Sequence, residues 1–273
     1  MIVISLCNNK GGVAKTTSTF NLSCYLGSIG LKVLTIDLDP QGNLSSAFDV
    51  DPNTLNGTAY DIMSEYTLMN SKNSDKDIKK FLIEVRENID LLPANLTLER
   101  ANLNFVSELG KERLLKKMLL DAGRFYDVCI IDCSPNLGTL TINALVASDY
   151  VFIPVKSGIF ELTGSSVLAE SIDNIKESFN EKLQLGGVFI TLYDDRSVIN
   201  KDISSELKNI FGDILMNSVI RQGIAIVEAT ALHKSIFEYK PKSNTGKDYL
   251  EFCKEVLKRT GLQKPRKTKK KGE

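Results

Sequence analysis

The chain has 273 residues, enough to bury one large core or two small ones. With 42% hydrophobic and 25% charged residues it has the composition of a globular protein, and no run of about eighteen apolar residues is present to span a membrane. Its net charge is zero but unevenly placed: residues 264–273 hold six cations against one glutamate, so the other 263 residues carry a deficit of five charges.

The opening MIVISLCNNKGG lacks a basic leader and a cleavage site, and reads as the first strand, Ile2–Cys7, of a cytoplasmic protein. A glycine-bearing loop follows, then a helix over Lys15–Ser28 and a strand over Lys32–Ile36. Asp49–Asp75, rich in Asn, Ser, Asp and Thr, reads as a surface excursion. A strand at Ile89–Leu92 leads into a helical stretch, Leu96–Leu120, expected to break near Gly110. Strand and helix then alternate: Asp127–Ile131, Thr139–Ala147, Tyr150–Val155, Gly164–Phe179, Gly187–Leu192, Lys201–Phe211, Ile214–Val219 and a last helix, Gly246–Arg259.

Several of these strands are almost continuously apolar, as strands covered on both faces are. Alternation with helices implies right-handed βαβ units and a mainly parallel sheet. The expected fold class is therefore α/β, a three-layer sandwich with helices on both faces and ligands at the carboxyl ends of the strands. One domain over residues 1–263 and a basic, disordered tail over 264–273 is the economical division. The tail could add nucleic-acid affinity through counterion release, or serve only solubility. Five scattered cysteines, Cys7, Cys24, Cys129, Cys133 and Cys253, suit buried thiols in a reducing compartment; with His233 as the single histidine they do not compose a zinc site.

The strongest local signal is Asn8-Asn9-Lys10-Gly11-Gly12-Val13-Ala14-Lys15-Thr16-Thr17, between a strand and a helix. Backbone N–H groups at a helix start, bared by small residues, cradle polyphosphate oxygens. Lys15 would reach the β- and γ-phosphates of ATP and the Thr16 hydroxyl would bind Mg²⁺. The general phosphate-loop pattern has glycine where Asn9 and Ala14 stand.

Two further segments put carboxylates at strand ends. In Ile36-Asp37-Leu38-Asp39-Pro40-Gln41-Gly42-Asn43, alternation sets Asp37 and Asp39 on one face, where one acid can organise the hydration of Mg²⁺ and the other can orient an attacking water. Asp-Pro-x-Gly is also good turn chemistry. Tyr126–Asp132 has the Walker B form, apolar residues ending in the carboxylate of Asp132, which would bind a magnesium water.

Lys10, five residues before Lys15, makes the loop similar to the deviant Walker A pattern of the ParA/MinD family of ATPases, which includes the Soj/ParA partition proteins. The resemblance covers residues 1–260: Asp-Leu-Asp-Pro-Gln-Gly-Asn, the stretch after Asp132, Thr-Leu-Tyr-Asp-Asp-Arg ending at Arg196, then Val219-Ile220-Arg221, Glu228-Ala229, Lys234–Tyr239 and Tyr249–Leu257 occur in the family's order. It implies a P-loop fold and an ATP-sandwich homodimer in which Lys10 crosses to the partner's nucleotide. It assigns water activation to Asp39 and metal support to Asp37, and places the adenine near the loop after Val219. It also implies non-specific DNA binding and slow hydrolysis stimulated by a ParB-like adaptor. Three departures stand out. Ala14 replaces a glycine and is expected to keep helical dihedrals. Ser134 and Asn136 replace a proline and a serine. Ala225 stands where many relatives carry a DNA-binding cation, leaving Arg221, Lys201, Lys208, Lys234, Lys240, Lys242 and the tail as candidates.

Two other readings remain: a MinD-like membrane-surface switch, disfavoured by a lysine-rich end without large apolar residues, and an ATP-gated adaptor or repressor that does not hydrolyse. A nitrogenase-iron-protein role is rejected, because no cysteine lies between Cys24 and Cys129 to join Cys133.

Overall fold

The computed structural model describes residues 1–51, 54–55, 57–67, 77–105, 107–156 and 161–264, with the backbone alone at 161–167 and 198–202. Tail residues 265–273 and parts of the Asp49–Asp75 excursion lie outside the described residues. Eight strands form one sheet: β1 (Ile2–Leu6), β2 (Val33–Leu38), β3 (Ile83–Arg86), β4 (Ile89–Leu92), β5 (Val128–Cys133), β6 (Tyr150–Lys156), β7 (Gln184–Tyr193) and β8 (Leu215–Arg221). Their order is β3-β4-β2-β5-β1-β6-β7-β8. Every pair is parallel except β3 with β4 at the edge. The α/β class and mainly parallel sheet are as expected.

The helices are α1 (Lys15–Ser28), α2 (Asn43–Ala47), α3 (Ala59–Glu65), α4 (Ala101–Asn104), α5 (Leu114–Ala122), α6 (Thr139–Ala147), α7 (Glu161–Ser178), α8 (Val198–Phe211), α9 (Ile224–Ala231), α10 (Ile236–Tyr239) and α11 (Asn244–Thr260). Strand alternation divides their packing between two cores. Val3, Cys129 and Ile131 face a core with α3, α5, α6, α7 and α8. Ile4, Leu6 and Ile130 face the other, with α1, α2, α9, α10 and α11. Phe189 and Phe252, with ring centroids 4.4 Å apart, fix α11 to β7; burying each such side chain contributes about 2–3 kcal/mol.

Differences from the sequence reading have local causes. α11 starts at Asn244, before Gly246, because the Ser243 hydroxyl caps it, accepting from Gly246 N at 3.0 Å. The Leu96–Leu120 stretch does break at Gly110, whose φ of 73° ends helical geometry, but it breaks elsewhere too and α4 is one turn long. Inside the supposed excursion, Thr58 and Asp61 form a capping box that starts α3, and Ala59, Ile62 and Met63 are buried. β3, α2, α9 and α10 have no counterpart in the sequence reading. The loop expected after Val219 is short: β8 runs to Arg221, Gly223 is the N-cap of α9, and Ala225, inside that helix, packs on the second core.

Candidate active site

Strands β1, β5 and β2 lie side by side in a register that sets Leu6 beside Asp132 and Asp132 beside Asp37. The loop from β1 to α1 therefore sits over two carboxylates at the carboxyl edge of the sheet. The loop is built outward from Asn8: its Nδ2 donates to Pro154 O at 2.6 Å, and its Oδ1 accepts from Lys10 N at 3.0 Å. On the other side, Thr191 Oγ1 donates to Val13 O at 3.1 Å, tying the loop to β7. Lys15, 7% exposed, turns back so that Nζ donates to Lys10 O at 2.7 Å.

α1 begins without a side-chain cap and without an acid in its first turn. Its first N–H groups are thus available to an anion. A Cβ added at Gly11 or Gly12 would meet nothing within 4 Å, so the loop borders open space. That space is a cleft of about 720 Å³, lined among others by Gly12, Lys15, Thr16, Asp39, Gln41 and Pro135.

Ala14 contradicts its expectation. Its φ of 61° and ψ of 30° are left-handed, not helical, because the N-cap of α1 must turn the loop here. For alanine that conformation costs roughly 1–2 kcal/mol, through the approach of Cβ to the following carbonyl. Ala14→Gly is expected to recover on the order of 1 kcal/mol, after the extra freedom glycine gives the unfolded chain. The gain should appear in calorimetry as a higher Tm, in titration as tighter nucleotide binding, or divided between them. An unchanged or weakened protein in both measurements would rule the strain out.

Thr16 Oγ1 donates to Asp132 Oδ2 at 2.6 Å and Thr19 Oγ1 to Oδ1 at 3.3 Å. Asp37 serves the turn below the cleft: Oδ1 accepts from Asp39 N at 3.1 Å, and Oδ2 accepts from Ser45 N at 2.9 Å and Ser45 Oγ at 2.8 Å. Both carboxylates are fully buried. Burial pushes Asp37 up to about 6 even against its hydrogen bonds from Ser45. Burial, then the charge of Asp37, raises Asp132 as well. Asp39 is half-buried on the cleft wall, and its Oδ1 accepts from Gln41 N at 3.0 Å.

Two adjacent acids held above their ordinary values form a site short of positive charge. The donor set, a threonine hydroxyl and hard carboxylate oxygens, fits Mg²⁺, and the uncapped helix start fits a polyphosphate. A folded-state value above the unfolded one means that stability present at low pH is lost as the pH rises through the raised value. Asp132→Asn should therefore gain stability on the parent as the pH rises from about 4 to about 8. Thermal unfolding of both proteins across that range checks this; an advantage that shrinks with pH would contradict it.

The structure also brings in residues the sequence did not nominate. His233, with a φ of 52°, lines the cleft from beyond α9, its Nδ1 2.7 Å from Ser46 O and its Nε2 3.6 Å from Asp49 Oδ1. Leu192, left-handed at φ 53°, lines it from β7. No sequence pattern announces either. Of the cations considered for DNA, Arg221 is paired with Asp248 and Asp195, Lys208 with Asp213, and Lys240 with Glu228. Lys234 and Lys242 are exposed, and the side chain of Lys201 lies outside the described residues.

A parallel sheet whose first strand runs through such a loop into an uncapped helix, with acids on the two neighbouring strands, defines a P-loop nucleotide-binding protein. A family model described as an AAA domain matches residues 1–185. The chain is 36% identical over 255 residues to the sporulation initiation inhibitor protein Soj of Bacillus subtilis, covering 93% of this chain and 97% of Soj. Its structure is similar to that of a putative plasmid partition protein from Borrelia burgdorferi bound to AMPPNP: TM-score 0.76, 25% identity, 94% and 99% of the two chains covered. A crystal structure described as cobyrinic acid a,c-diamide synthase from Mycobacterium smegmatis, with bound ADP and magnesium, gives a TM-score of 0.77 at 28% identity, with 96% and 97% covered. The chain belongs to the ParA/Soj family of partition ATPases.

Proposed function

We propose that this chain is an ATP- and Mg²⁺-dependent DNA-segregation ATPase, acting from the cytoplasm on the nucleoid through residues 1–263. In this reading two subunits close face to face around ATP, the dimer holds DNA through its phosphates without reading sequence, and a ParB-like adaptor on the cargo triggers hydrolysis and release. The backbone of Gly11, Gly12, Val13, Ala14, Thr16 and Thr17 cradles the polyphosphate. Lys15 neutralises charge on the transferring group, and Lys10 crosses to the partner's nucleotide. Thr16 and Asp132 hold the metal, with Asp37 supporting them from beneath. The metal supplies screening of phosphate charge. Asp39 orients the attacking water; positioning and charge, not strong basicity, carry such a transfer. Adenine packs near the start of α9.

The observation that supports this most is the uncapped start of α1 set over the Thr16–Asp132 hydrogen bond. Among the described residues no helix is long and apolar enough to cross a membrane.

The test is retention on random-sequence duplex DNA with ATP, with ADP and without nucleotide, beside Lys10→Ala. Retention specific to ATP, steeply weakened by salt and lost in Lys10→Ala, is the expected result. No retention at low salt by a protein that binds ATP normally would sink the DNA-carrier reading.

A further inference from the structure

Two cysteines left idle by the proposed chemistry stand at the root of the nucleotide cleft. Cys7 is the residue between β1 and the phosphate loop, and Cys133 is the residue after Asp132. β1 and β5 are neighbours with Leu6 beside Asp132, so one step further along each strand Cys7 stands beside Cys133. Both side chains face the same core and each is 1% exposed. The two thiols therefore sit side by side in that core, on neighbouring strands. Neighbouring strands are about 4.8 Å apart, within the Cα separations a disulfide spans. The pair lies at the carboxyl ends of both strands, with Cys7 N donating to Phe152 O at 3.0 Å and Cys133 paired with Leu38 of β2.

We infer that Cys7 and Cys133 are a latent disulfide site, through which hydrogen peroxide disables nucleotide binding reversibly. One thiol attacks the peroxide O–O bond, giving a sulfenic acid and one water. The second thiol then attacks that sulfur, forming the S–S bond and releasing a second water. The protein loses two protons and two electrons, the peroxide takes them up, and a reducing thiol reverses the change.

The consequence follows from position. Two unbonded thiol sulfurs stand no closer than van der Waals contact and must approach by over about 1 Å to reach bonding distance. That movement pulls on the residues beside them: Asn8, whose two hydrogen bonds shape the phosphate loop, and Asp132, which receives the Thr16 hydroxyl. A displacement of about 1 Å in a positioned site costs on the order of a hundredfold. Burial of both thiols means that peroxide must enter through an opened loop, so bound nucleotide should slow the oxidation.

The other thiols provide a control, because Cys24 on α1 and Cys253 on α11 are also buried, in the opposite core. Full-length protein would be treated with hydrogen peroxide, with and without Mg·ATP, and its disulfides mapped by peptide mass spectrometry. ATP affinity would be titrated before oxidation, after it, and after reduction with dithiothreitol. A Cys7–Cys133 link formed more slowly with Mg·ATP, with affinity at least about tenfold weaker and restored on reduction, is expected. Cys7→Ala and Cys133→Ala, which bind ATP before treatment, should each keep their affinity through it. A link elsewhere, five persisting thiols in a protein whose Met1 is oxidised by the same treatment, or a mapped Cys7–Cys133 link that leaves affinity unchanged would each overturn the inference. A variant that loses affinity on oxidation as the parent does would overturn it too.

Discussion

Lys15→Ala is expected to raise the Kd for Mg·ATP by at least about a hundredfold, equivalent to roughly 2.7 kcal/mol. The side chain is buried, and its ammonium is already held in the mouth of the loop by Lys10 O at 2.7 Å. Little further order is lost when a phosphate takes its other donors, and charge-assisted hydrogen bonds in such a setting are the strong ones. Removal also leaves one carbonyl without its donor, which costs the fold about 1–3 kcal/mol. Isothermal titration measures the loss and calorimetry measures the fold. Lys15→Arg should fail as well, because a planar fork does not replace a point charge in a loop of this curvature. Binding within about threefold of the parent in Lys15→Ala would remove Lys15 from the site.

Asp39→Ala is expected to bind ATP nearly as the parent does and to turn over about 10²–10³-fold more slowly. Asp39 lies on the cleft wall, and its side-chain Oδ1 accepts from Gln41 N at 3.0 Å. That bond shapes the turn, so a loss of activity in the alanine variant could reflect geometry alone. Asp39→Asn resolves the two effects, since its amide oxygen can still accept from Gln41 N while the charge is gone. If charge orients the water, both variants are equally slow in single-turnover assays; if the turn matters, the asparagine protein recovers. Parent-like turnover in both would make the chain an ATP-binding protein with its water held elsewhere.

Much of the site was legible in the sequence because its signals are local. A strand, eight loop residues and a helix are contiguous, and in the structure they form the loop that Lys15 closes. The acids were legible one strand at a time. Their register, Asp37 beside Asp132, was not, because it arises from β2 and β5 pairing across ninety residues of intervening chain. The same limit hid Cys7 beside Cys133: the sequence showed two buried thiols, and only the sheet made them a pair. Ala14 was misjudged for another reason. Alanine prefers helix, and only the turn that α1 requires forces it left-handed. β3 escaped notice as a four-residue edge strand with alternate charged residues, and α9 because Gly-Ile-Ala-Ile-Val is apolar without a helical period.

The paired cations narrow the DNA question. With Arg221, Lys208 and Lys240 engaged by carboxylates and Ala225 packed on a core, the exposed Lys234 and Lys242 are the first candidates for phosphate contact. Each alanine substitution should then lower the salt slope of DNA binding by about one unit without changing ATP affinity.

The most direct test of the account is the mass of the protein in solution, by light scattering, for Asp39→Ala with Mg·ATP, with Mg·ADP and without nucleotide. Nucleotide-gated closure predicts a doubled mass with ATP alone, reverting to monomer when Lys10→Ala is added. A monomer in all three states, or a dimer indifferent to nucleotide and to Lys10, would contradict it.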